Sequence, residues 1–473
     1  MRWILLLVMT LSVCPVVQAD DAKVEKLLKR IDQLEQTVDR VSELEREVAR
    51  LKGQQHDEWL KQRQSDAYRQ IVDDVIQDAE ARSSQEGVQF LAGFDGKSFV
   101  LVGPEGNNKM VLGGQFQFRF IASNQDKRPD ETESGFQMRR FKLGASGHVI
   151  TPDLFYKIVF EGSRVDGKAG VEDAYFGYKF SLFGEKDANI KVGKTKIPFL
   201  REELTSSRRQ LAIDRSSVTE FFTTDRAELI QLEVKGKNSV EWNLKLALHD
   251  GADTEFSEFT MDPVEIGFAA RIDVALKGSL SQGKDFNAWS GEDDALLLGG
   301  AVIWQLGDAD NTTDGGLVTG GDFGSDADAD YLGWTVDLGF ESNGVSVFGA
   351  LMGGHIDPDV TGAPDRDMMG YLIQGGVFLV PDEVEAFIRY ECIDGDIPGE
   401  DEAYLLTFGV NWYKFKQKHN HKITAEIIWF FDGDVPTANP FGNSPFSTAL
   451  GLGGGTVDDE ELIAFLLQWQ LLF

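Results

Sequence analysis

The C-terminal stretch Glu461-Leu462-Ile463-Ala464-Phe465-Leu466-Leu467-Gln468-Trp469-Gln470-Leu471-Leu472-Phe473 decides how the remainder of the chain is read. Ile463, Phe465, Leu467, Trp469, Leu471 and Phe473 recur at every second position, and Gln468 and Gln470 stand between the last of them. A period of two puts such a row on one face of a β-strand. Two readings are open at this point: the last strand of a soluble sheet, or a strand whose apolar face meets lipid.

The same alternation fills the chain upstream. Phe116, Phe118 and Phe120 alternate with Gln115, Gln117 and Arg119. Val240, Trp242, Leu244, Leu246 and Leu248 face away from Glu241, Asn243, Lys245 and His249. Ile423, Ala425, Ile427, Trp429 and Phe431 oppose Lys422, Thr424 and Glu426. Sixteen such segments begin near Met110, Gly135, Leu154, Val171, Asn189, Ala227, Val240, Val264, Ala295, Tyr331, Val345, Met369, Val384, Ala403, His421 and Glu461. Short connections (Thr151–Asp153, Lys235–Ser239, Glu341–Gly344) alternate with long ones (Ile197–Arg226, Asp308–Asp330, Asp432–Asp459). An antiparallel barrel with short periplasmic turns and long outer loops has this parity. One connection breaks it: Lys277–Asp294 is long where a short turn is expected.

Charges fall almost entirely on one parity within each strand, as a lipid-facing surface demands, since a Lys or Arg at mid-bilayer costs roughly 2–4 kcal/mol. A soluble sandwich offers no reason for sixteen consecutive hairpins, and an aromatic residue bearing the terminal carboxylate is how strands that close outer-membrane barrels end. The expected fold is therefore all-β and transmembrane, a 16-stranded antiparallel outer-membrane β-barrel. Composition agrees, with 50 glycines and 33 phenylalanines beside 13 prolines, suited to many strands and aromatic girdles. No apolar run of ~18 residues follows the first twenty positions, which argues against transmembrane helices. The formal charge of −32 argues against a nucleic-acid partner.

Ahead of the barrel, Met1-Arg2 and the apolar run Trp3–Val17 read as a signal peptide, with cleavage before Asp20. Val24, Leu27, Ile31, Leu34, Val38, Val41 and Val48 then recur at alternating spacings of three and four, with Glu45 in one core slot, among charged residues, the pattern of an N-terminal α-helical coiled coil. The expected divisions are 1–19 signal peptide, 20–87 periplasmic helical segment and 88–473 barrel. Cys14 lies in the leader, so Cys392 is the one thiol of the mature chain, and neither disulfide nor zinc spacing arises.

The connection after the fifth strand holds the densest polar motif: Gly193-Lys194-Thr195-Lys196-Ile197-Pro198-Phe199, then Glu202-Glu203-Leu204-Thr205-Ser206-Ser207-Arg208 and Asp214-Arg215-Ser216. At these residues the chain resembles the phosphate-selective porin O and P family. Arg139-Arg140, Asp173-Ala174-Tyr175 and Asn411-Trp412-Tyr413 extend the likeness across roughly Gly87 to Phe473. The resemblance implies a homotrimer of sixteen-stranded barrels in the lipid bilayer of the cell outer membrane, each with its third loop folded inward to narrow a passage for small ions or solutes.

Arg201, Arg208, Arg209, Arg215 and Arg226 would supply fixed positive charge at that constriction, with hydroxyls from Thr205, Ser206 and Ser207. Arg119, Arg140, Lys142, Lys157, Lys179 and Lys245 would continue it along the wall. A second reading pairs these arginines with Glu202, Glu203, Asp214, Glu220 and Asp225 to hold the loop rigid. Against phosphate selectivity stand acids on the same inward parity, among them Glu161, Asp173, Glu241, Asp273, Asp337, Glu385, Glu391 and Glu426. Asp326-x-Asp328-x-Asp330 starts like a calcium loop but places Tyr331 where glycine belongs. Ser146 and His148 are the one candidate catalytic pair and alternate on a single strand, so no enzyme, cofactor or metal is expected. The expected function is a porin, a passive diffusion channel for small hydrophilic solutes or ions, anions such as phosphate among them. The alternative is an architectural barrel tethered or trimerised by the coiled coil and carrying no current.

Overall fold

The computed structural model describes residues 91–94, 98–125, 132–162, 169–252, 264–307, 329–358, 365–396, 401–416, 418–433 and 462–473. The signal peptide and coiled coil, and most of the acidic stretch 308–330 and of the long connection 432–459, lie outside the described residues.

A short hairpin, β1 (Leu91–Phe94) and β2 (Phe99–Val102), precedes sixteen longer strands. The first eight are β3 (Lys109–Gln125), β4 (Thr132–His148), β5 (Leu154–Gly162), β6 (Ala169–Phe180), β7 (Ala188–Lys196), β8 (Arg226–Lys237), β9 (Glu241–His249) and β10 (Val264–Lys277). The other eight are β11 (Ala295–Gly307), β12 (Ala329–Ser342), β13 (Val345–Pro358), β14 (Arg366–Val380), β15 (Val384–Asp394), β16 (Ala403–Tyr413), β17 (His421–Asp432) and β18 (Leu462–Leu472). Each pairs antiparallel with the next, and β18 returns to β3 with Leu472 opposite Gln115 and Leu462 opposite Gln125. The cylinder is closed, so no sheet edge is left to lipid. Seven strands begin at the residue where alternation placed them, and the others begin within three residues of it.

Side-chain parity explains the closure. Ile463, Phe465, Leu467, Trp469, Leu471 and Phe473 are exposed on the outer face, while Leu462, Ala464, Leu466, Gln468 and Gln470 are buried inside. β2 pairs with Lys109–Leu112 of β3, on the edge that β18 occupies farther along. The hairpin thus continues the sheet past Phe473, whose carbonyl accepts from the Gly114 amide at 2.7 Å. Gly114 leaves room for the Phe473 ring, which a Cβ there would approach to 2.4 Å.

Two of the register shifts turn an extra charged residue inward. On β4 the shift opposite Gln117/Phe118 leaves Arg139 as an extra residue, so Arg139 and Arg140 both turn inward. On β6 the shift opposite Val159/Phe160 does the same for Glu172 beside Asp173. Period-two reading assigns one residue of each pair to the lumen; the bulges supply two.

The interior is not an empty tube. Residues 197–225, between β7 and β8, fold inward through two short helices, α1 (Arg201–Leu204) and α2 (Ser217–Phe221). Ser216 caps α2, its hydroxyl accepting from the Thr219 amide at 3.1 Å. Ile197, Phe199, Leu211, Ile213, Phe221 and Phe222 join one apolar cluster with Ile303, Tyr331, Met352, Met368, Leu372, Leu405, Phe430 and Leu466 of the wall. Each such fully buried side chain contributes roughly 1.5–3 kcal/mol relative to exposure. Gly370 makes room for the packing: a Cβ there would lie 2.4 Å from Val218 Cγ2.

Candidate functional site

Irregular backbone at membrane depth persists only where protein or trapped water satisfies its polar groups. Here the wall does so almost residue by residue. Gln470 Nε2 donates to the Arg208 carbonyl at 2.9 Å, Lys422 Nζ to the Gln210 carbonyl at 2.9 Å and Asn411 Nδ2 to the Leu211 carbonyl at 2.8 Å. The Ile213 amide donates to Glu426 Oε2 at 2.9 Å and the Val218 amide to Glu391 Oε2 at 3.1 Å. Arg389 Nη2 reaches Glu202 Oε1 at 3.0 Å.

Some acids of the inward parity are thereby accounted for. Glu385, Glu391 and Glu426 are buried beneath the loop, and Asp337 is held by Arg271 at 2.8 Å. These four face loop backbone and paired arginine, whereas Glu161, Asp173, Glu241 and Asp273 of the same expected set border the cavities.

At the loop's far end one carboxylate gathers three guanidiniums. Asp214 lies 2.9 Å from Arg119, 2.7 Å from Arg139 and 2.6 Å from Arg140, all of them buried. Burial pushes the Asp214 pKa upward, but attraction to Arg139, Arg140 and Arg119 outweighs it and holds the group well below the usual carboxylate range. Arg119 and Arg140, read from sequence as free wall charges, are engaged in this latch.

The open space lies on the other side of the loop, against β4–β10, as three adjoining cavities. The one nearest the short turns holds about 760 Å³. Leu204, Ser206 and Lys245 border both it and a middle cavity of about 370 Å³. Lys142, Glu172, Ser207 and Arg226 border both the middle cavity and a third, of about 400 Å³, toward the long loops. Lys142, Lys157, Lys191, Lys196, Arg208, Arg226 and Lys245 line the middle one against Glu172 and Asp173 alone. Cations outnumber acids along this track in a chain whose formal charge is −32.

The sequence-selected residues divide by what they touch. Arg208 and Arg209 have no ion-pair partner among the described residues, and both border cavities. Ser206 and Ser207 each border two cavities and Thr205 one; Ser207 also meets Gln115 at 3.3 Å and Thr205 Oγ1 donates to the Arg201 carbonyl at 3.0 Å. Arg201 faces the 760 Å³ cavity, 3.6 Å from Asp337 and 5.7 Å from the centre of the Phe348 ring. Arg215 pairs with Glu220 at 3.1 Å, and Arg226 with Asp225 at 2.7 Å and Asp173 at 2.9 Å. Lys142 meets Glu172, and Glu161 at 3.0 Å; Lys157 meets Asp173 at 2.6 Å; Lys245 stands 3.6 Å from Asp273. Lys179 is exposed, over the Phe155 ring. Lys191 and Lys196, absent from the sequence-selected set, border the middle cavity without an ion pair among the described residues. Inward parity was their signal. His148 Nε2 lies 2.9 Å from the Gly106 carbonyl and Ser146 borders the middle cavity, so this pair forms no nucleophile and base.

A closed sixteen-stranded antiparallel barrel with an inward loop beside a lined passage is the fold found in outer-membrane porins. Residues 111–270 match the family model described as phosphate-selective porin O and P, and the resemblance holds over that stretch. Among solved structures, an anion-selective porin from Comamonas acidovorans is 13% identical, covering 77% of this chain and 100% of its own, with a TM-score of 0.54. The outer-membrane channel DcaP of Acinetobacter baumannii is 13% identical over 80% and 100%, with a TM-score of 0.48. OmpT of Vibrio cholerae is 14% identical over 77% and 98%, with a TM-score of 0.47. No curated protein matches the chain by sequence. The likeness to these solved structures is one of fold.

Proposed function

We propose that this protein is a passive diffusion channel for small hydrophilic solutes with a preference for anions, phosphate among them. The observation that carries the reading is the middle cavity, where seven cationic side chains meet two carboxylates. A narrow, low-dielectric passage lined by one sign of charge raises the local concentration of counter-ions and favours their passage. The third loop sets the bore, presenting Ser206, Arg208 and Arg209 to the passing solute while its other face is packed into the wall. The acidic stretches near the outer loops limit how strongly anions are drawn in from afar, so the selectivity is local to the constriction. The subunits assemble as a homotrimer, with the N-terminal heptad segment, exported past a cleaved signal peptide, assisting association from the periplasm.

Single-channel recording in planar bilayers under a potassium chloride gradient tests this, followed by competition with phosphate. The expected reversal potential lies on the anion side, and phosphate reduces chloride current. A reversal potential near the cation limit refutes the anion preference; absence of any current favours the architectural barrel instead.

A further inference from the structure

The connection from β10 to β11, seventeen residues from Gly278 to Asp294, is long where the other short-side turns are brief, and the third loop does not explain it. It bends into the barrel mouth. Phe286, Asn287, Ala288 and Trp289 are all buried. Asn287 Nδ2 donates to Glu385 Oε2 at 2.7 Å and to Tyr413 Oη at 2.8 Å. The Trp289 ring lies 4.8 Å from Tyr413, 5.1 Å from Phe378 and 5.4 Å from His419, and Phe286 lies 4.8 Å from Phe348. These partners sit on β13–β16 and the turn before β17, the half of the wall that the third loop also covers.

The two inserts meet. A Cβ on Gly283 would lie 2.5 Å from Arg201 Nη2, so the turn runs directly under the first residue of α1. The void left between Arg201, Leu211, Asp285 and Phe286 is about 10 Å³, no more than a single water needs. That void is too small to pass a solute. Ser281, Gly283 and Lys284 border the 760 Å³ cavity on the open side, and Lys284 has no ion pair among the described residues.

We propose that this turn is a second constriction in series with the third loop: it shuts the short-turn mouth on one side, supports Arg201 from below, and makes Lys284 a specificity determinant for anionic solutes leaving or entering there. The inference rests on the channel reading above. Two comparable constrictions in series share the resistance, so removing one raises conductance by up to about two-fold. A charge at one mouth alone acts unequally on the two directions of current.

The experiment uses the full-length protein in planar bilayers. Replacing Gln282–Asp293 by Gly-Ser is expected to raise single-channel conductance, and an unchanged conductance overturns the second constriction. Lys284→Glu is exposed and clear of the packed residues; it is expected to lower the anion-to-cation permeability ratio and make the current asymmetric with voltage sign. A symmetric current with an unchanged ratio overturns the role of Lys284. Should the turn replacement not fold, as read by heat-modifiable gel mobility, Ser281→Cys supplies the second arm. A thiol-reactive methanethiosulfonate is expected to reduce its current while wild type, whose Cys392 is buried, is unaffected. No reduction overturns the proposal. A wild type without current sinks the channel reading itself; a conducting wild type with unaltered turn variants sinks this inference alone.

Discussion

Asp214→Asn is the sharpest test of how the third loop is held. The substitution removes the one anion on which Arg119, Arg139 and Arg140 converge at 2.9, 2.7 and 2.6 Å. Breaking a buried ion pair by removing one partner costs about 3–5 kcal/mol. Water from the neighbouring cavity can reach the arginines once the loop lifts, so about 3 kcal/mol, the lower end, applies. That is about 150-fold in the ratio of seated to lifted loop. The barrel itself remains, because Glu426, Glu391, Asn411 and Gln470 hold other parts of the loop backbone. Single-channel recording should show larger conductance and more open-channel noise. Anion permeability should rise rather than fall, since three guanidiniums are released to the lumen.

The pH response has a definite sign. Asp214 has its folded pKa depressed, so its contribution is complete above the ordinary carboxylate range and is lost as pH falls through the depressed value. Wild-type conductance should therefore hold steady well into acid and the variant should lack that acid transition. Identical conductance, noise and selectivity in the two proteins would refute the latch.

Further tests separate the pore side of the loop from its wall side. Arg208→Glu with Arg209→Glu, on side chains without ion pairs among the described residues, should move the reversal potential toward cations while leaving the folding transition unchanged; an unmoved potential counts against the filter. Glu426→Ala strands the Ile213 amide and should lower barrel stability by about 1–3 kcal/mol, read by heat-modifiable mobility, with the permeability ratio unaltered. Gly370→Leu drives a side chain into Val218 and Phe222 and should unseat α2, raising conductance; a silent substitution would show the seat to be soft. His419 is buried, which lowers its pKa despite its contact with Asp285 at 3.2 Å. With the folded value below the unfolded one, packing of the inward turn is complete above about 6.5 and weakens as pH falls below it. Current noise should grow between neutral and mildly acidic pH, and His419→Gln should flatten that response.

The cylinder was legible because lipid imposes one rule on every strand. Outward Ile463, Phe465 and Trp469 and inward Gln468 and Gln470 follow from it without reference to any other part of the chain. The interior obeys no such rule. Arg140 and Lys191 both fall inside, yet one is locked onto Asp214 and the other borders the passage, a distinction set by where a distant loop rests. Arg139 and Glu172 escaped the reading because each sits at a bulge, where one inserted residue reverses the parity. The length of Lys277–Asp294 was visible as an anomaly, but its meaning required Asn287 and Trp289 to be seen against Glu385 and Tyr413, more than a hundred residues of chain away in one case and close to it in the other.

The strong negative charge of the chain and the positive passage are compatible once the carboxylates are sorted by the groups they face. An acid aimed at loop amides, as Glu391 and Glu426 are, satisfies backbone that lipid could not, and its field is screened from the passage by the loop it holds. An acid beside a lumen cation, as Asp173 is beside Lys157 and Arg226, tempers that cation without removing it from the wall. Among the described residues that border the passage, Arg208, Arg209, Lys191 and Lys284 are cations without an ion pair. Net charge therefore misleads about ion preference in a barrel with a packed loop, and the loop's seat decides which charges a solute meets. The Glu426→Ala and Arg208→Glu variants test this directly, because both alter charge inside the barrel and only the second should alter selectivity.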